Sequence, residues 1–483
     1  MNLGKKIKLM CAGFLLTGSP LLYAGVGASG IAGVNWADGR DNFVDGWVIP
    51  SGLNSSDDYN TIAAKTDSII NEFQANMQGV NTVRLPINEP SVLENWWDSY
   101  KAAIDKASEK NMKVILGYWE KSSMKDGRID DTTQFWQMWN KVVAEYQNDS
   151  NIYFEVMNEP FGYSASELKT VYADWLSTYS SIPRSRILLG GTGYSENVVP
   201  IGSDSQFDGT LLSLHNYAFW DKSITSEATW ESNWRGRFGV YASRTVVTEY
   251  GAPMTSGLDY DNTASSSETT ENQAYIAYIR ASSRVFRNDN VASVYWPGLR
   301  DNDSYTIQTR GGSGNNITLS TTNNSGLNQI ICGWGEIQCE VSIDGSYRIV
   351  NRNSAKDLDV DGGATNDGAN VLQWTWNSGS NQQWELIATG DGYYKVKNVN
   401  SGKLLDVNGG STSDGANILQ WPDNGGYNQH WQLEDMGNGY HQLINRASGK
   451  ALDVNQGQTQ NGANVIQWTD NNGNNQQWEL IEQ

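Results

Sequence analysis

Two apolar runs of this 483-residue chain close on carboxylates. "FEVMNEPFG", residues 154–162, ends on Asn158 and Glu159 before Pro160, and "RTVVTEYG", residues 244–251, ends on Glu249 and Tyr250. A facing pair of carboxyl groups is what hydrolysis of a glycosidic bond requires: one is protonated to release the leaving alcohol, the other ionised to attack or to activate water. Taken singly, each reads as an exposed strand-end residue or a helix cap. The company they keep changes that reading, because Arg84, His215, Tyr217, Trp36, Trp119 and Trp296 lie at the ends of other apolar runs. An arginine beside one glutamate keeps it anionic, and shielding by Trp296 raises the other, so the two are expected to separate into base and acid.

The runs that must carry these side chains number eight: "GIAGVNW", "VNTVRLPIN", "MKVILGYW", "NIYFEVMNEP", "RILLGGTGY", "LLSLHNYAF", "RTVVTEYG" and "VASVYWPG". They alternate with stretches of helical periodicity, such as 131–146 with Phe135, Met138, Trp139, Val142 and Val143 on one face. Eight such units predict an α/β (β/α)8 TIM barrel over 29–336, which puts the chemistry at the C-terminal ends of the strands. Asn35, Asn88 and Tyr118 join the candidates on that ground. A doubly wound open sheet is the alternative, but no Gly-x-Gly-x-x-Gly turn follows the first run. The tract 311–325, "GGSGNNITLSTTNNS", has a linker's composition. Leu327, Ile330, Ile331 and Trp334 follow it at helical spacing, however, and predict a last barrel helix beyond it.

"VRLPI" in the second run, "VMNEP" ending the fourth, "VTEYG" ending the seventh and "YWPG" in the eighth resemble family 5 glycoside hydrolases of the cellulase superfamily, over most of 30–335. The resemblance implies Glu159 as acid/base, Glu249 as nucleophile, and Asn158 as the partner of the sugar's 2-substituent. It further implies that Arg84 orients Glu249, that His215 and Tyr217 support the two glutamates, and that Trp296 floors the sugar at the cleavage point. Trp36 and Trp119 join the expected substrate-binding set. The family retains anomeric configuration, which implies carboxyl groups about 5 to 5.5 Å apart. The chain departs from the family at the third run, which closes on Tyr118-Trp119-Glu120 with no histidine. The insert "ADGRDNFVDGWVIPSG" also differs from a short cellulase loop. Asp38, Asp41 and Asp45 on it are either solvated turn residues or the lining of an acidic cleft suited to an amino-sugar polymer.

From about residue 341 the sequence has a different grammar. Three units align without gaps at a spacing of 47, setting Asp359, Asp406 and Asp453 in equivalent places. Short β-type segments between Gly, Asn and Asp turns predict an all-β domain in which no unit buries its apolar face alone. With Gln382/Trp384, Gln429/Trp431 and Gln476/Trp478, the units resemble the ricin B-type lectin repeat, whose three copies close into a β-trefoil over 341–483. The resemblance implies buried tryptophans at 384, 431 and 478. It places sugar binding on Asp359, Trp374 and Asn381, on Asp406, Trp421 and Asn428, and on Asp453, Trp468 and Asn475. Within any one unit, an aspartate capping a turn and a merely buried tryptophan account for the same residues.

Residues 1–28 have the three-part form of a secretory signal: Lys5, Lys6 and Lys8, an apolar run to Tyr23, then small residues. The protein is therefore expected to be secreted, and no later apolar run is long enough for a membrane span. Removal of the leader takes Cys11 with it, leaving Cys332 and Cys339 to pair as a disulfide; two cysteines do not make a zinc site. A formal charge of −20 excludes a phosphate-binding surface and with it a nucleic-acid partner. Twenty tryptophans suit a carbohydrate ligand, since indole faces stack on sugar rings. No metal, nucleotide or flavin motif appears, so no cofactor is expected. The reading is a secreted, monomeric, retaining endo-β-glycanase acting on β-1,4-linked glucan, held on insoluble or cell-wall carbohydrate by its lectin module. Chitosan is the rival substrate, and a non-catalytic polysaccharide-binding lectin the rival class.

Overall fold

The computed structural model describes residues 29–335 apart from 262–263 and 265–266, and residues 346–483 apart from 390–392 and 437–438. The leader, Cys339 and the expected boundary at 336–341 lie outside the described residues.

Eight parallel strands close into a barrel in sequence order: β1 Ala32–Trp36, β2 Thr82–Ile87, β3 Lys113–Tyr118, β4 Ile152–Glu155, β5 Ile187–Gly190, β6 Leu211–His215, β7 Thr245–Glu249 and β8 Ala292–Leu299. Seven lie within the expected runs, and β8 overruns the eighth by one residue, Leu299. Strands buried on both faces, as here, are near-continuously apolar because helices cover the outside and side chains fill the inside. The helix Thr132–Tyr146 is amphipathic and capped: it buries Phe135, Met138, Trp139, Val142 and Val143, and Asp131 accepts its Thr133 and Gln134 N–H groups. Ser164 and Glu167 form a reciprocal capping box at the start of Ala165–Thr178. Among the described residues no helix is long and apolar enough to cross a membrane.

Inside the barrel the layers follow from the two-residue strand period. Ile115, Tyr153, Leu211 and Val246 belong to an apolar cluster in the barrel interior. Two residues further along the same strands stand Gly117, Glu155, Ser213 and Thr248, so the apolar layer gives way to a polar one toward the C-terminal ends.

The Gly-rich tract is not a linker. Gln308–Ser313 and Asn316–Thr321 form an antiparallel hairpin, with Leu319 N–H donating to Glu72 on the helix Tyr59–Asn76. The helix Asn324–Gly333 follows and buries Leu327, Ile330 and Ile331, as the spacing predicts.

Residues 346–483 form a β-trefoil with its own core, in which Trp384, Trp431 and Trp478 are 0 % exposed and donate their indole N–H to the carbonyls of Leu358, Leu405 and Leu452. Asn370 donates to Asn464, Asn464 to Asn417 and Asn417 to Asn370, at 2.8–2.9 Å, a cyclic ring with one member from each unit.

Candidate active site

Arg84 on β2 is fully buried at the centre of the polar layer and donates to four acceptors. Its Nε meets Glu155 at 2.5 Å, one Nη meets Glu249 at 2.6 Å and Asn35 at 3.0 Å, and the other meets Asn158 at 2.8 Å. Burial alone would lower the guanidinium's pKa, but the charges of Glu155 and Glu249 outweigh it and raise it, so Arg84 is a permanent cation. Removing one partner from such a buried pair costs about 3–5 kcal/mol, because the other charge is left uncompensated. The Trp119 ring lies 4.3 Å from the guanidinium carbon and stacks on Trp296, centroids 6.5 Å apart.

Glu249 ends β7. Its second oxygen accepts from the Tyr217 hydroxyl at 3.0 Å, and burial followed by the charges of Glu249 and Glu159 pushes that phenol well above its usual range, so it stays a donor. Glu159 follows β4 in a left-handed conformation, φ 34°, which a residue other than glycine holds only where its surroundings impose it. Here Asn158 N–H donates to Tyr118 O on one side and Phe161 N–H to Glu159 O on the other. His215 on β6 stands between the carboxylates, its Nδ1 3.2 Å from Glu159 and 3.6 Å from Glu249. One oxygen of Glu159 and one of Glu249 lie within 4.8 Å of each other. Above them opens a cleft of about 380 Å³ lined by Asn158, Glu159, Tyr217, Glu249, Trp119 and Trp296. Asn158 Nδ2 is buried there and has no hydrogen-bond partner among the described residues.

Most of the expected barrel residues thus converge, and three do not. Trp36 is a correction: it is 0 % exposed, packs in the core and donates its indole N–H to Ser51 O, because Asn35 takes the inward position and its neighbour must point out. Asn88 caps the short helix Glu89–Leu93, and Tyr118 donates to Glu89 and packs on Phe135. The first-loop aspartates divide. Asp38 is buried and accepts from Arg40 and Ile49, Asp45 accepts from Ser123 N–H, and Asp41 lines the cleft. Sequence reasoning missed Glu155, although an ionisable residue inside an apolar strand was a visible signal. It also missed Phe43, Phe219 and the Arg300–Tyr305 loop on the cleft wall, which have no periodicity to mark them.

In the trefoil, Asp359, Asp406 and Asp453 are buried, and burial raises each carboxyl to about 6 against the pull of the neighbouring Gln and Asn amides. Trp374, Trp421 and Trp468 are 41–42 % exposed, so they are not core residues like their Gln-x-Trp counterparts. Asn381, Asn428 and Asn475 donate to the carbonyls of Val360, Val407 and Val454. Each triplet is therefore assembled alike in all three units. Cys332 is buried; its expected partner lies outside the described residues.

A closed (β/α)8 barrel with two carboxylates facing each other across its C-terminal mouth defines a glycoside hydrolase of the TIM-barrel class. Residues 47–297 match the cellulase family, glycosyl hydrolase family 5, and the chain belongs to that family. Residues 336–421 and 427–483 match the ricin-type beta-trefoil lectin domain-like family. Among solved structures, the designed 3-fold symmetric protein ThreeFoil is 54 % identical over 29 % of this chain and 100 % of its own, with a TM-score of 0.29. An exo-beta-1,3-galactanase from Clostridium thermocellum is 36 % identical over 38 % of this chain and 40 % of its own, TM-score 0.29. The Rhizoctonia solani agglutinin is 22 % identical over 29 % of this chain and 96 % of its own, TM-score 0.27. No curated protein sequence matches the chain.

Proposed function

We propose that this protein is a secreted, monomeric, retaining endo-β-1,4-glycanase that cuts β-1,4-linked glucan while its trefoil holds the enzyme on insoluble carbohydrate. The observation that carries the reading is the approach of Glu159 and Glu249 oxygens to within 4.8 Å. That spacing suits direct attack by one carboxylate; an inverting pair stands about 6.5–9.5 Å apart to admit water between them. Glu249 attacks the anomeric carbon, the glycosidic C–O bond breaks, and the leaving oxygen takes the proton of Glu159. Water then attacks the same carbon, gives a proton back to Glu159, and displaces Glu249 as carboxylate. Asn158 Nδ2, unpartnered and on the cleft, supplies a donor for the sugar's 2-substituent. A second cavity of about 540 Å³ shares Arg300, Asp303 and Ser304 with the cleft, and this room for further sugar rings supports cutting within a chain. A leader at 1–28 and a Cys332–Cys339 bridge accompany the secreted reading.

Asp41 on the cleft wall favours a second substrate, chitosan, whose ammonium groups a carboxylate attracts and a neutral glucan lacks. Reducing ends released from carboxymethyl-cellulose, β-1,3-glucan, mannan and chitosan separate the two; release from chitosan alone ends the glucan reading. NMR of the first-formed product shows the β-anomer if configuration is retained, and an α-anomer refutes the double displacement. Glu249→Gln is expected to abolish hydrolysis with polysaccharide retention intact.

A further inference from the structure

The mechanism above employs two carboxylates and leaves a third, Glu155, without a part. Glu155 lies on β4 beneath them, 0 % exposed. One oxygen accepts from Arg84 Nε at 2.5 Å and the other from Ser213 Oγ at 2.6 Å. The barrel makes space for it: a Cβ on Gly117 of β3 would stand 2.7 Å from Glu155 Oε2, closer than such contacts allow. Arg84 therefore sits between two carboxylates, one buried below and one at the cleft. Their fates differ in the reaction, because Glu249 gives up its charge when it bonds to the sugar and Glu155 does not. With Glu249 as its only counter-charge, Arg84 would hold the attacking anion at full strength and then be stranded as a buried cation in the covalent intermediate.

We infer that Glu155 is a positioning residue that shares the charge of Arg84, leaving Glu249 oriented but reactive and Arg84 compensated throughout the cycle. The inference rests on Glu249 being the nucleophile. Glu249 is faced by Arg84 from β2, His215 and Tyr217 from β6 and the turn after it, and Glu159 from the turn after β4. Glu155 is faced by Arg84, by Ser213 from β6, and by the buried Tyr172 phenol from the helix Ala165–Thr178.

The test is the pH profile of kcat/KM on a soluble oligosaccharide bearing a chromogenic leaving group, for the full chain and its variants, with melting temperature recorded in parallel. Glu155→Gln keeps an acceptor for Arg84 but removes the shared charge. Its acid limb is expected to move to lower pH by about one unit, since an unshared cation favours the ionised form of Glu249. kcat/KM, which reports attack, is expected to fall roughly tenfold and more than kcat does. Glu155→Asp restores the charge and should return the limb toward its native position. Ser213→Ala removes the donor from Glu155, throws more of that carboxylate onto Arg84, and should move the limb the opposite way, a result available even if Glu155→Gln does not fold. A Glu155→Gln profile that superposes on the native one, an Asp variant shifted as far as the Gln variant, or an unmoved Ser213→Ala limb overturns the inference and leaves a purely structural role. Glu249→Gln run alongside keeps the cases apart: if it still turns over, the nucleophile assignment fails, whereas an inactive Glu249→Gln with unshifted Glu155 profiles refutes charge sharing alone.

Discussion

Replacing Tyr217 by phenylalanine isolates a single hydrogen bond. The ring is 5 % exposed and stacks on Phe219 with centroids 4.7 Å apart, and phenylalanine preserves that packing. What disappears is the hydroxyl donating to Glu249 at 3.0 Å. A hydrogen bond to a charged group contributes about 1.5–3 kcal/mol, and one pH unit corresponds to about 1.4 kcal/mol, so the lost donor is equivalent to about one to two units. The sign follows from which form the donor favours. The phenol stabilises the carboxylate, so without it Glu249 takes up a proton at higher pH and the acid limb of kcat/KM moves upward. In the proposed double displacement the same change makes Glu249 a poorer leaving group, so release of the glycosyl-enzyme is expected to slow and a burst of leaving group to precede the steady state. Stopped-flow release from a chromogenic oligosaccharide across the pH range measures both effects. An acid limb that stays within about 0.3 unit of the native one, or that moves downward, would show that the bond does not act on the nucleophile.

The trefoil supports four further predictions. Its buried Asp359, Asp406 and Asp453 carboxyls, raised to about 6, become neutral as the pH drops through that value, so retention on polysaccharide beads should weaken below pH 6. Stability should run the other way: a carboxyl whose folded pKa exceeds its unfolded value favours the folded state in acid, and calorimetry should show that contribution lost as pH rises from about 4 to 6. Replacing Trp374, Trp421 and Trp468 together by alanine should abolish bead retention, with release of soluble oligosaccharides by the barrel unchanged. Asn417→Ala leaves one donor and one acceptor of the ring unmatched and should cost about 1–3 kcal/mol in denaturant unfolding, with Asn370→Ala and Asn464→Ala equal to it within error.

The barrel was legible because parallel strands covered on both sides must be apolar, and the eight runs rich in Val, Ile and Leu announce themselves between amphipathic helices. The residues toward the ends of those runs gave Asn158, Glu159, His215, Tyr217, Glu249 and Trp296, with Arg84 the charged residue of the second. Facing was harder to read. A strand apolar on both faces shows no alternation, so nothing in "GIAGVNW" tells Asn35, which points inward, from Trp36, which points out. Glu155 lies inside its run with no run-end position to mark it, and the residue that explains it, Arg84, lies inside another strand, so only the closed barrel brings the two together. The Arg300–Tyr305 wall depends on how a loop folds back from β8, which no local pattern encodes. In the trefoil the spacing of 47 disclosed the threefold plan and the Gln-x-Trp signature the buried tryptophans, but the unit sequence does not tell whether Trp374, Trp421 and Trp468 are core or surface until packing leaves them exposed.

The asparagine ring bears on how such a module changes over generations. Tandem duplications are prone to gain or lose a copy by unequal recombination, and in an open repeat array that changes only length. Here each unit's amide is satisfied by the next and the last by the first, so the circuit closes at three members. A gene carrying two copies or four would encode unmatched amides where the units meet. The protein's own geometry thus counts its repeats, and point substitution within a unit, rather than copy number, is the route left open for altering what each one binds.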